Sequence, residues 1–397
     1  MEKTLNALTF LFWANLFLVF YTYIGYGILL YIIIKIKRIF SKKHDNAPSN
    51  LPEITFLVAA YNEEDYIKAK MENTLSLNYP KEKLKIMWVT DGSDDSTNEL
   101  LKEYDEVNLL FKPERKGKTA AINRAMKFVK TPITVFTDAN TMINSDALLK
   151  IAECFSDTRV GCVAGEKRIA VKKEDGVASG GEGAYWKYES FLKSLDNELY
   201  SAMGAAGELY GIRTELFTEL SSDTLLDDFM MSMLIVKRGY KIAYCKEAYA
   251  IESGSANIAE EEKRKIRISA GGLQSIFRLR SLLNPFKYGI ITFQYVSHRA
   301  LRWSTTPICL FALIPINTYL VFTNSGFIYT LIWILQILFY AAAFAMHILA
   351  QKNKRNKFLY IPYYFVFMNL NVLKGFVYLY KRRNNNSGAW EKAKRAK

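Results

Sequence analysis

Residues 8–34 carry no charged side chain, a run longer than the roughly 20 residues a helix needs to cross a hydrocarbon core. A cleaved leader would have a shorter apolar core, basic residues before it and a small-residue cleavage site after it. Here Lys35, Lys37, Arg38, Lys42 and Lys43 follow the run instead, so it reads as a retained span. Basic residues beside a span stay in the cytoplasm, which places the N-terminus outside and the polar stretch 46–299 inside. The far end repeats the pattern. Residues 303–323 and 327–349 are each long enough to span, joined by the turn-like Thr323-Asn324-Ser325-Gly326, and Lys352, Lys354, Arg355 and Lys357 mark the return to the cytoplasm. Residues 358–380 would reach about 34 Å as a helix, but Pro362, Asn369, Asn371 and Lys374 suit a lipid-facing span poorly.

The formal net charge is +14. A basic balance can signal nucleic acid, but these residues cluster beside apolar runs rather than along one soluble face. Membrane lipid headgroups are the fitting partner, and no nucleic acid is expected. Cys154, Cys162, Cys245 and Cys309 form neither a CxxC pair nor a His-containing metal spacing, which suits a reducing compartment without structural zinc.

After a linker at 44–52, the pattern changes period. Strands are expected at 54–60, 84–90, 107–111 and 133–137, with helices at 63–77, 94–104 and 118–129. Alternating strands and helices imply an α/β domain with a mostly parallel sheet covered on both faces. Functional groups then belong just beyond the C-terminal ends of strands. The strand ends supply them: Tyr61-Asn62-Glu63-Glu64, Asp91-Gly92-Ser93-Asp94-Asp95-Ser96 and Asp138-Ala139-Asn140. Past Asp157 the alternation fades, and 166–183 is expected to be irregular. Helices are expected again at 185–200 and at 225–238, with Gly239 as the stop signal.

Transfer of a sugar from a nucleotide diphosphate must neutralise charge on the leaving phosphates and remove a proton from the acceptor hydroxyl. The first task suits a divalent cation held by one or two carboxylates with substrate phosphates, the second a carboxylate base. The ordered segments Val58-Ala59-Ala60-Tyr61-Asn62-Glu63, Thr90-Asp91-Gly92-Ser93-Asp94-Asp95, Gly117-Lys118, Asp138-Ala139-Asn140 and Asp227-Asp228 resemble family 2 glycosyltransferases. Within that family they are most similar to the membrane polysaccharide synthases, such as those of poly-N-acetylglucosamine, hyaluronan and cellulose. The similarity runs over 54–274, and the flanking apolar runs agree with it.

The resemblance implies a GT-A-like domain at 46–279 inserted between transmembrane helices at 1–45 and 303–380, with an interfacial helix region at 280–302 and a basic cytoplasmic tail at 381–397. It implies a multi-pass protein of a bacterial-type cytoplasmic membrane, a nucleotide-diphosphate sugar donor (UDP-linked), a Mg or Mn ion, a glycan or lipid-linked acceptor, and polysaccharide export partners. Residue by residue, Asp91 resembles the aspartate that contacts the nucleotide, although Asp-Gly also makes an ordinary turn. Asp138 resembles the first member of the metal-binding DxD element, with the neutral Asn140 in the second place. Asp228 stands where the family has its base, beside Asp227 at a helix start that also favours acidic residues by its dipole. Glu63 and Lys118 fall at substrate-binding positions, Lys118 near the donor diphosphate. The segment 115–119 is no Walker loop, because Lys112 stands where glycine is required.

Arg264 and Arg267 match a donor-binding motif that continues with tryptophan in processive synthases. This chain has Ile268 there, leaving Trp186 or Trp303 as substitute stacking surfaces. His298, Arg302 and Trp303 read as headgroup anchors. Two enzyme readings stay open, an inverting polymerase of a β-linked glycan and transfer of one sugar to a lipid-linked acceptor. A nucleotide-binding membrane scaffold is disfavoured by Asp91, Asp138 and Asp228 occurring together, and a dehydrogenase by the lack of GxGxxG after the first strand.

Overall fold

Seven consecutive buried residues, Ile54–Ala60, make the strand β1, the unbroken apolar run of a strand covered on both faces. In the computed structural model, residues 2–40, 50–170, 177–255, 257–323, 326–351 and 356–384 are described, with backbone alone at 177–185, 357, 383 and 384. Lys42 and Lys43, most of the 44–52 linker, Asn324, Ser325, Lys352, Lys354, Arg355 and the tail beyond 384 lie outside the described residues. The described residues divide into a helical unit (within 2–32, 177–182 and 255–384) and a sheet unit (within 33–170 and 183–254).

The first helix, α1, runs Glu2–Phe40 and contains a π-helical turn at Tyr21–Gly25. In the sheet unit, β1 is followed by α2 (Glu64–Leu75), β2 (Leu84–Asp91), α3 (Thr97–Leu101), β3 (Val107–Lys112), α4 (Lys118–Met126), β4 (Ile133–Asp138), β5 (Met142–Ile143) and α5 (Ala147–Cys154). Then come β6 (Val160–Ala170), α6 (Val177–Leu199, whose residues from Gly183 on belong to this unit), β7 (Leu209–Arg213), α7 (Asp227–Lys237) and β8 (Lys241–Ser253). The sheet order is β3-β2-β1-β4-β7-β6-β8-β5. The first four strands are parallel neighbours, as expected, but the sheet as a whole is mixed. β7 runs antiparallel to both β4 and β6, and β5 antiparallel to β8.

Two expectations need correction here. The stretch 166–183 is not irregular where described: β6 continues to Ala170 and α6 begins at Val177. The helix expected at 94–104 shrinks to Thr97–Leu101, because Asp94, Asp95 and Ser96 are spent on loop hydrogen bonds. Gly239, at φ 95°, does stop α7.

The helical unit continues with α8 (Ile258–Arg278), α9 (Thr305–Phe322), α10 (Phe327–Gln351) and α11 (Lys357–Asn384). Among the described residues, three helices, α1, α9 and α10, are long and apolar enough to cross a membrane. α11 is continuous; its Asn369 and Asn371 are buried, while Lys374 is exposed. Asn369 accepts from the Tyr23 hydroxyl at 2.5 Å, and Lys374 pairs with Glu262. Asn317 likewise donates to Gln336 at 2.9 Å, helix-to-helix bonding of the kind expected of buried amides, whereas both amide atoms of Asn371 are buried without a hydrogen-bond partner. His298, Arg299 and Arg302, on the helical segment before α9, are buried. The guanidinium of Arg302 lies over the Tyr23 ring and that of Arg299 over Trp303. Packing inside the unit thus replaces the headgroup anchoring expected of His298 and Arg302.

Candidate active site

The loops that leave β1 and β2 are stitched together. Asn62 takes a left-handed backbone at φ 53°, and its amide donates to Asp94 at 2.6 Å while accepting from the Asp94 N–H at 3.0 Å. The Glu63 N–H donates to Thr97 Oγ1 at 2.8 Å, and the Ser96 N–H to Glu64 Oε2 at 2.9 Å. Glu63 is buried at this junction. Asp91, also buried, accepts from the Lys116 N–H at 3.0 and 3.1 Å and from the Gly117 N–H at 2.5 Å. Its carboxylate therefore shapes the loop that starts α4. Gly117 sits there at φ 92°, a conformation that a side chain would strain.

α4 begins with Lys118, whose Nζ lies 2.6 Å from Asp138 Oδ1 at the end of β4. Burial works against charge on this lysine, but Asp138, Asp227 and Asp228 outweigh it and hold the ammonium well above its ordinary range. Gly207 closes the group. A Cβ at that position would stand 3.2 Å from Asp228 Oδ2, 3.4 Å from Lys118 Nζ and 3.8 Å from Asp138 Oδ2. The structure thus brings Lys118, Asp138, Asp227 and Asp228 together around one backbone segment. Burial, then the neighbouring Asp227, pushes the Asp228 carboxyl up to about 7, against the pull of Lys118. A carboxylate tuned near neutrality is suited to proton abstraction. A cavity of about 10 Å³, lined by Lys118, Thr137, Gly207, Tyr210 and Asp227 among others, adjoins the group.

Asn140 is half-buried in the turn after β4. Arg264 and Arg267 belong to α8 in the helical unit, where Arg264 is buried and bonds Glu261 Oε2 at 3.0 and 3.2 Å. Of the substitute stacking surfaces, Trp186 is half-buried with the ammonium of Lys167 over its ring at 4.9 Å.

Sequence reasoning missed three contributors. Gly207 carries no motif. Lys167, almost wholly buried, bridges Glu208 and Glu252, and Glu208 adjoins Gly207. Lys70 is fully buried on α2 and donates to Thr137 Oγ1 at 3.1 Å and to the Thr141 carbonyl at 2.6 Å. Burial lowers its pKa to about 7, with Asp138 pulling upward. A signal for Lys70 was available, because it falls on the same helical face as the buried Ile67, Met71 and Thr74.

Among the described residues, no three His, Cys, Asp or Glu side chains gather as a metal cage. A Mg or Mn ion shared with substrate phosphates needs only one or two carboxylates. Asp138 is partly exposed, and Asp227 Oδ2 is a buried oxygen without a hydrogen-bond partner. That donor set fits such an ion.

Residues 52–271 match the family described as Glycosyltransferase like family 2. A poly-beta-1,6-N-acetyl-D-glucosamine synthase of Staphylococcus aureus is 29% identical over 281 residues, which cover 68% of this chain and 66% of that relative. The match therefore spans slightly less than two thirds of the relative's length. A beta-monoglucosyldiacylglycerol synthase of Trichormus variabilis is 33% identical over 172 residues, 41% of this chain and 35% of that protein. Among solved structures, a mannosyltransferase from Pyrobaculum calidifontis in complex with GDP-Man and Mn2+ aligns with a TM-score of 0.68 at 20% identity, over 93% of this chain and 99% of that one. This likeness is one of fold, a GT-A-like sheet domain with flanking apolar helices.

Proposed function

The chain belongs to the glycosyltransferase-like family 2, and from that membership we propose that it moves a sugar from a nucleotide-diphosphate sugar, UDP-linked, to a growing β-linked glycan with inversion. The observation that carries this reading is the convergence of Lys118, Asp138 and Asp228 on Gly207. Asp228 takes the proton of the acceptor hydroxyl as that oxygen bonds to the anomeric carbon. The bond from that carbon to the phosphate oxygen breaks, and the nucleoside diphosphate leaves. Lys118 faces the leaving diphosphate as a fixed positive charge. Asp138 would hold a divalent cation, which would supply electrostatic stabilisation of the phosphate oxygens. Asp91 orders the loop at 115–117 that borders the nucleotide, with Glu63 beside it. Asn140 and Asp227 contact the sugar and the acceptor, and Arg267 offers a planar donor fork to pyrophosphate, while Arg264 is engaged with Glu261.

In a multi-pass membrane protein with this charge pattern, the sheet unit works on the cytoplasmic side. The second reading, transfer of one sugar to a lipid-linked acceptor, is favoured by Ile268 in place of a stacking tryptophan. Labelled nucleotide sugars supplied to vesicles carrying the protein separate the two. Polymerisation predicts products that lengthen with time when fresh acceptor is withheld. Products with a single added sugar at every donor concentration would establish the second reading, and no transfer from any donor would overturn both.

A further inference from the structure

We propose that Lys70 is a positioning residue that sets Asp138 for cation binding. The inference rests on the reading of Asp138 as the cation's ligand.

A fully buried lysine is costly unless its charge is compensated. The hydrogen-bond acceptors of Lys70 are neutral, the Thr137 hydroxyl and the Thr141 carbonyl, with the Phe56 ring 5.5 Å away. These two threonines bracket Asp138. The Thr137 hydroxyl also reaches the Glu208 carbonyl at 2.9 Å and the Thr141 hydroxyl at 2.9 Å, and the Thr141 hydroxyl donates to the Asp138 carbonyl at 2.9 Å. One ammonium thus feeds a network that fixes the end of β4, the turn carrying Asp138, and the segment at 207–208 that abuts Asp228. Because Lys70 donates to Thr137, the Thr137 oxygen acts as acceptor toward the ammonium and its single hydroxyl proton serves the Glu208 carbonyl or the Thr141 hydroxyl. The link from β4 to the segment before β7 runs through this hydroxyl.

Position and charge make opposite predictions for Lys70. An ammonium near a bound cation repels it, so removing the charge alone would tighten cation binding. Removing the clamp leaves the Thr141 carbonyl buried without its donor and lets Asp138 drift, which weakens binding. Loss of a group that orients a metal ligand typically costs about 10- to 100-fold in affinity.

The test measures Mn2+ binding to the full-length protein in detergent by electron paramagnetic resonance, in the presence of UDP, alongside thermal unfolding. Lys70→Met, which keeps shape and removes both charge and donors, is expected to weaken Mn2+ binding about tenfold or more. Thr137→Val, which keeps the charge and cuts the network, is expected to shift it the same way. The double variant should lose less than the sum of the two, because both act through one network. Mn2+ binding that is unchanged or tighter in folded Lys70→Met overturns the proposal, as does full additivity. Asp138→Ala separates the two levels of the argument. If it leaves Mn2+ binding intact, the ligand reading fails. If it abolishes binding while Lys70→Met does not weaken it, only the role of Lys70 fails.

Discussion

The half of the sheet formed by β1 to β4 and the half formed by β6 to β8 supply the site from opposite directions. In the parallel half, Asn62, Asp91 and Asp138 follow or close the C-terminal ends of their strands, the usual place for function in an α/β sheet. In the other half the contribution comes from the beginning of a strand. β7 runs antiparallel to β4 with Thr137 opposite Leu209, so the chain entering β7 arrives beside the chain leaving β4. Gly207 and Glu208 reach the row of loops without any crossover. One reversed strand is enough to let a second region of sequence address the same carboxylates.

This contrast can be broken by substitution. The largest effect is expected from the parallel half. Asp138→Ala should abolish turnover and weaken metal-dependent donor binding, and unchanged metal-dependent transfer would show that the end of β4 is not the cation site. Next is Asp228→Asn, which should keep donor binding while transfer falls by about two to four orders of magnitude, the range of a lost general base. An equal loss of donor affinity would assign Asp228 to the donor site.

The pH profile follows with a smaller change. A base must be ionised, and the Asp228 carboxyl is pushed up to about 7, so kcat should fall as pH drops through about 7. Removing the negative neighbour in Asp227→Asn lowers the Asp228 pKa and should move that limb to lower pH. A limb that stays in place belongs to another group. The smallest effect is expected at the reversed strand. In Gly207→Ala the added methyl comes within 3.2 Å of Asp228 Oδ2 and 3.4 Å of Lys118 Nζ, displacing groups by tenths of an ångström. About a tenfold loss of kcat is expected from such misplacement, and wild-type kcat would mean that the geometry at the start of β7 is unimportant.

The same division explains what could be read in the sequence. Strand and helix alternate with clear period changes up to Asp157, so β1 to β4 and their polar ends were legible, as were Lys118 and the pair Asp227-Asp228. β6, β7 and β8 were not. The helices between them, α6 and α7, were expected at 185–200 and 225–238, but the strands themselves carry no clear period: β6 and β8 pair through register shifts, and β8 mixes buried and exposed positions irregularly. Gly207 acts through what it lacks, a side chain, and Lys70 and Lys167 act only because distant segments fold over them. The membrane spans were legible from length and charge alone. The inward turn of Asn369 and the burial of Arg302 were not, because neither hydrophobicity nor charge says which side of a helix meets a neighbour.

The π-helical turn at Tyr21–Gly25 works as a phase shift in α1. A regular helix advances about 100° per residue, so one additional residue in a turn swings everything before it around the axis by that amount relative to everything after it. Ahead of the turn, Phe12 packs against Leu313, Leu320 and Tyr329. Within it Thr22 meets Thr306 at 3.0 Å, and beyond it Tyr26 sets its ring edge-on to Phe293. A single straight helix would keep one of these seams in register and lose the other. Deleting the exposed Ile24 would restore ordinary winding and uncouple the two seams, although every side chain that forms them would still be present.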